Sequence, residues 1–136
     1  MKYSMILLFA LCLLTGCSLS QKAEYEPGKN DVVFELDQTV NKNKLRDFYS
    51  NVVLSKKDKV TLVNFTKEGD SVIRQLQYDG DYFIQVTEEN THSKHGKQKS
   101  KKYSCSSLSK TAGDRENYYF LSCDEHDSPV MLGIIK

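Results

Sequence analysis

Cysteines are the residues in this chain best placed to do chemistry, and their four positions separate them into different roles. Cys12 lies inside an apolar N-terminal run, and Cys17 ends it. Cys105 and Cys123 are too far apart for a Cys-x-x-Cys redox motif. In an exported chain an even pair of this kind predicts a disulfide, with two free buried thiols as the alternative. Metal binding through the two sulfurs would need further ligands that the sequence does not supply. His92 and His95 form a His-x-x-His in a polar, glycine-containing segment with no fixed ligand geometry. Asp124, Glu125, His126 and Asp127 lack the spacing of a calcium loop. Both read as turns, so no metal and no cofactor is implied. A Gly-x-Ser-x-Gly elbow is absent. Asp70, Asp79, Asp81 and Asp114 all fall at predicted turns, where aspartate has a backbone reason to be. These residues point away from an enzyme, and no catalytic residue is assigned.

Lys2 followed by the uncharged run Met5 to Leu14 fits the h-region of an export signal, too short to span a bilayer. The ending Leu14-Thr15-Gly16-Cys17 resembles the lipobox of bacterial lipoproteins. That resemblance implies that residues 1–16 are removed and that Cys17 becomes a lipid-modified N-terminus. A thioether to diacylglycerol inserts two acyl chains, which at ~0.8 kcal/mol per buried CH₂ anchor stably where one chain is marginal. The alternative is an ordinary cleaved signal that releases a soluble protein. Residues 17–30, polar and carrying Pro27-Gly28, read as a flexible tether to a single domain at 31–136.

Loss of residues 1–16 removes only Lys2 among the charged side chains, so 19 basic residues become 18 against 18 acidic. A near-neutral balance gives no reason to expect nucleic acid as a partner. The positive charge is local instead. Lys94, Lys97, Lys99, Lys101 and Lys102 follow Glu88 and Glu89 and form a candidate anion-binding surface for headgroups or envelope polymers. A solvated loop is the plainer reading. Aromatics do not interleave with these lysines, so there is no stacking platform for single strands.

Periodicity supplies the elements that must position these residues. Val32, Val33 and Phe34 predict a short strand after Asp31. Leu45, Phe48, Tyr49, Val52 and Val53 make one apolar stripe of helical period over Asn41 to Leu54. Asn41 or Asn43 is the expected N-cap, accepting a backbone N–H. The period then switches to two over Lys59–Phe65 and Val72–Tyr78. Asp79-Gly80 predicts a two-residue hairpin turn, with Tyr82, Ile84 and Val86 on the returning strand. Further strands are expected at Tyr103–Leu108, Asn117–Cys123 and Val130–Ile135. Facing cysteines at 105 and 123 would put a hairpin midpoint at Asp114, inside the turn signal around Gly113. Closing that loop should contribute ~3 kcal/mol.

With these segments placed, the pattern resembles domain-of-unknown-function family 4362, small lipoproteins of Gram-positive spore-forming bacteria. The matching residues are Asp31-Val32-Val33, Asn41, Lys44-Leu45, Phe48 and Lys56-Lys57-Asp58-Lys59. Thr66-Lys67-Glu68-Gly69-Asp70, Tyr78-Asp79-Gly80, Cys105 and Cys123 complete them. The lysine-rich segment at 91–102 departs from that pattern. The resemblance implies a shared fold and brings no activity or catalytic residues.

The fold expected is α+β: one N-terminal amphipathic helix packed on an antiparallel sheet of about six strands, with one disulfide. An antiparallel meander is expected rather than βαβ units. The function expected is a non-catalytic interaction module, held by lipid on Cys17 to the outer face of the cytoplasmic membrane. Its partner would be an envelope protein or an anionic surface polymer. The rivals are an envelope enzyme or accessory subunit, and a small-ligand or metal carrier.

Overall fold

Eight strands and one helix follow from the sequence in the computed structural model, which describes residues 25–67, 70–90 and 99–136. The elements are β1 (Val32–Phe34), β2 (Thr39–Val40), α1 (Lys42–Val53), β3 (Asp58–Phe65) and β4 (Ser71–Tyr78). They continue with β5 (Ile84–Glu89), β6 (Ser100–Ala112), β7 (Asn117–Cys123) and β8 (Val130–Ile135). All strands join one sheet in the order β2-β1-β3-β4-β5-β6-β7-β8. Neighbours are antiparallel except β1 and β3, which run parallel with Val32 opposite Leu62 and Phe34 opposite Asn64.

The sheet curls until its two ends meet. Thr39 Oγ1 on β2 donates to the Ile134 carbonyl at 3.2 Å. Asn64 Nδ2 reaches the Leu132 carbonyl at 3.5 Å, and Lys42 Nζ the Lys136 carbonyl at 3.1 Å. Alternate backbone oxygens along the free edge of β8 and just past its end therefore take side-chain donors in place of a ladder strand. The result is a nearly closed, barrel-like sheet, which leaves little edge for another chain to pair with.

This corrects the α+β expectation. Among the described residues the protein is mostly β, with eight strands rather than about six, and α1 follows β1 and β2 instead of leading the fold. The chain β1–α1–β3 is a parallel crossover, so the meander is not purely antiparallel. Two- and three-residue strands are too short to show a period. Their pairing across the helix is a long-range contact, which alternation does not report.

The core lies on the concave face. Val32, Leu62, Leu76, Ile84, Val86, Leu121 and Leu132 from the strands meet Leu45 and Phe48 of α1, all essentially inaccessible. Tyr49 sets its ring edge-on to Tyr119 at 5.8 Å, under the Lys110 ammonium at 5.4 Å from the Tyr49 ring. The predicted stripe holds for Leu45, Phe48, Tyr49 and Val52. Val53, also placed in it, is the last residue of the helix and is 63% exposed.

Two local expectations are also corrected. Asn41 is the N-cap, but it adopts φ 54° and its side chain makes no capping bond to the helix. Asp79-Gly80 does not form a two-residue turn, since Tyr78 pairs with Ile84 and leaves five residues in the loop. Tyr78 Oη donates to the Asp81 carbonyl at 2.6 Å. Gly80, at φ 84°, lies so close to the chain leaving α1 that a Cβ there would stand 3.1 Å from the Ser55 carbonyl. That tertiary contact overrides the local turn preference and lifts Tyr82 off the strand.

Cys105 and Cys123 are joined by a disulfide, on directly paired positions of β6 and β7. The connecting turn closes with the Gly113 N–H donating to the Glu116 carbonyl at 2.7 Å. The register shifts between Cys105 and Ser107, leaving Ser106 as a bulge.

Gly133 is where the seam is tightest: a Cβ there would overlap the edge of the Phe34 ring. Gly133→Ala should cost about 1–3 kcal/mol, as overpacking does, read as a lower denaturation midpoint. In a Phe34→Leu background the same substitution should cost less, because the ring it meets has gone.

Candidate functional site

The N-terminal arm is built around Asp31. Its Oδ2 accepts from Tyr25 Oη at 2.9 Å and from the Gly28 N–H at 2.7 Å. The Asp31 N–H returns to the Gly28 carbonyl at 3.0 Å, closing a turn over Lys29-Asn30. Asn41 then latches the arm from the start of α1. Its Nδ2 donates to the carbonyls of Lys29 at 3.0 Å and Asp31 at 2.8 Å. A left-handed asparagine is well suited to this, since it tolerates positive φ while its amide reaches neighbouring backbone. Residues 25–30, the described part of the segment read as a tether, are thus hydrogen-bonded to the domain.

Beneath the arm, a groove of about 690 Å³ runs over β1, β2 and the end of β3. Tyr25, Pro27, Val33, Val40 and Phe65 give it an apolar lining, while Glu26, Lys29 and Glu35 bring charge of both signs to its margins. Val33 reaches it because Val32 and Phe34 turn to the concave face and adjacent strand residues alternate. Val33 pairs with Val40 on one side and Val63 on the other. Val63 in turn pairs with Ile73. Val33, Val63 and Ile73 are all buried, yet lie outside the main core cluster. This part of the sheet is apolar on both faces. The signal for it is in the sequence, as the doublets Val32-Val33, Leu62-Val63 and Val72-Ile73, which a half-solvated strand would not carry. Alternation read for one buried face passes over them.

Burial, then the hydrogen bond and charge of Asp31, then the charge of Glu89, push the Tyr25 phenol up to about 12. On the concave face, a second polar group joins β4, β5 and β6. Arg74 Nε meets Glu88 Oε2 at 2.7 Å, and Tyr103 Oη donates to the same oxygen at 3.3 Å. Arg74 also approaches Asn64 Oδ1 at 3.5 Å. Burial foremost, with the charge of Glu88, raises the Tyr103 phenol above its ordinary range. Glu88 is thus held as an ion-pair partner and hydrogen-bond acceptor, an arrangement that stiffens the interior instead of freeing a base.

Cys17, His92, His95, Lys94 and Lys97 lie outside the described residues. Lys99, Lys101 and Lys102 are exposed at the start of β6. Lys101 and Lys102 are adjacent along a strand and so leave opposite faces of the sheet, with Lys101 opposite Glu88 and Lys102 opposite Thr87. Asp124, Glu125, His126 and Asp127 are exposed between β7 and β8, where the His126 ring stands edge-on to Tyr103 at 5.4 Å.

The family model described as Domain of unknown function (DUF4362) matches residues 29–120. The match runs from the arm, through the groove-forming strands and α1, to β7. No curated protein and no solved structure matches the chain.

Asn41→Ala removes both latch bonds and sets alanine at a left-handed φ, so it should cost about 1–2 kcal/mol and speed proteolysis within 25–30. Asn41→Gly relieves the backbone but not the lost bonds. It should release the arm equally with a smaller loss of stability.

Tyr25 tests the arm by pH. Its folded pKa stands above the unfolded value, so its contribution is fully present below pH 10.0 and is lost as pH rises through about 12. An NMR titration of the Tyr25 ring carbon should show the high value. In Asp31→Asn it should fall part of the way to the ordinary value, since burial, the largest cause, remains.

Proposed function

The chain belongs to the DUF4362 family, and from that premise and the groove we propose a non-catalytic interaction module, held on the outer face of the cytoplasmic membrane by lipid on Cys17. The observation that carries the binding part of this reading is the groove itself. Its floor is apolar, with Val40 exposed and Phe65 half-buried beside buried Val33, and charges of both signs stand at its margins. Such a surface suits side chains of an extended protein segment, which bury on the floor while their polar neighbours pair at the rim.

An enzyme would need an acid and a base converging within hydrogen-bond reach of one bound atom. Asp31 is committed to its own arm and Glu88 to Arg74. The anchoring part rests on the Leu14-Thr15-Gly16-Cys17 ending and the apolar run before it. Both parts point to a partner in the envelope, where an exported and tethered module would meet it.

Two measurements test the two parts separately. Labelling with a fatty-acid analogue should mark the wild type and miss Cys17→Ala; equal labelling overturns the anchor. A photo-crosslinking residue at Val40, on the groove, should give a discrete adduct in intact cells. The same probe at exposed Met131 on β8 should not, and Asn41→Ala should diminish the Val40 adduct. Identical products from the two positions would overturn the groove as the binding face.

A further inference from the structure

Away from the groove, two pairs of apolar side chains stand in solvent at one end of the barrel. Val53 is 63% exposed and Leu54 60%, at the point where α1 ends and Ser55 turns the chain at φ 53°. Tyr82 is 80% exposed and Phe83 51%, in the loop between β4 and β5. The two segments are in contact, since Gly80 lies against Ser55 and Lys57. Exposed Lys56 and Lys57 are matched there by exposed Asp79 and Asp81, so this end has apolar surface and balanced charge.

We propose that this end docks into the interfacial layer of the membrane that holds the chain, a proposal that rests on the lipid anchor at Cys17. Tyrosine and phenylalanine beside leucine and valine are suited to that layer, where rings sit at headgroup level and aliphatic groups reach the acyl boundary. The length of chain before the arm fits as well. Tyr25 shares the groove with Phe65, at the far end of β3 from this surface. From Phe65 back to Asp58 the strand covers ~23 Å at its usual rise. Eight residues from Cys17 to Tyr25 span at most ~27 Å. That upper limit exceeds the length of the strand, so the anchor is within reach of the plane of this end. A tethered surface is met at high effective concentration, so four side chains suffice where free association would fail. Because the local charges cancel, docking is driven by apolar burial and persists at high salt, unlike an approach through the lysines of 94–102.

The chain contains no tryptophan, so one introduced indole reports its own surroundings. Phe83→Trp places it at the proposed surface. Leu36→Trp places it in the turn after β1, at the opposite end of the barrel and 85% exposed. Full-length lipidated protein is reconstituted into phosphatidylcholine–phosphatidylglycerol vesicles with brominated acyl chains. Emission from the Phe83→Trp variant should shift to the blue and be quenched about twofold or more relative to the Leu36→Trp variant. The difference should stay intact in 1 M salt, where the screening length is roughly 3 Å. Tyr82→Trp replaces Phe83→Trp if the latter does not fold. Flotation of the wild type but not of Cys17→Ala reports the anchor independently. Flotation without quenching at position 83, or with equal or greater quenching at position 36, overturns the docking while the anchor stands. That result would leave this end to a protein partner. If nothing floats, the anchor fails, and the docking that rests on it falls with it.

Discussion

Closure of the sheet across the gap between β2 and β8 is the constraint on which the rest of the molecule depends. An eight-stranded sheet with two open edges would offer backbone to other chains and leave α1 covering a flat face. Here the carbonyls of Leu132, Ile134 and Lys136 are each met by a side chain, from β3, β2 and α1 respectively. Gly133 gives the Phe34 ring room to lie against the same edge. Because those donors come from three elements, closing the seam also sets where the helix starts and where the β1–β2 hairpin sits. The concave face can then be filled by Leu45 and Phe48 without a second layer of structure.

Closure has a consequence on the outside. β1, β3 and β4 carry apolar residues on both faces, so part of the convex surface must be covered too. The arm takes part of that role, with Asp31 gathering Tyr25 and Gly28 and Asn41 holding the carbonyls behind them. The groove is the space left between the arm and Val33, Val40 and Phe65. Its shape is inherited from a single asparagine that also begins α1, so helix, arm and groove are mechanically one unit.

Charge in the interior is arranged for order. The half-buried pair of Arg74 and Glu88, with Tyr103 on the same carboxylate oxygen, joins three strands where the apolar core gives way. A pair of this kind adds little net stability, because desolvation offsets most of the attraction. The surface divides differently. Apolar side chains gather under the arm and at the end formed by α1 and the β4–β5 loop, two places suited to two different contacts.

Much of the local structure was legible in the sequence. The stripe through Leu45, Phe48, Tyr49 and Val52, the alternation of β3, β4 and β7, and the turn at Gly113 each depend on near neighbours. Parity and spacing of Cys105 and Cys123 were enough to pair them across that turn. Those are short-range facts, and a period of 3.6 or 2 records them. Other features depended on contacts between distant residues. Nothing in the run Val32–Val40 announces a parallel partner in Leu62–Asn64, and nothing near Asp79-Gly80 announces Ser55. Asn41 carried the right position and a different bond, because its amide found the arm before the helix N–H groups. The apolar doublets that mark the two-faced strands were present all along, yet which face needed cover became definite only when the sheet curled. Local chemistry determined the elements, and burial between elements far apart in sequence decided the barrel, the groove and the exposed end.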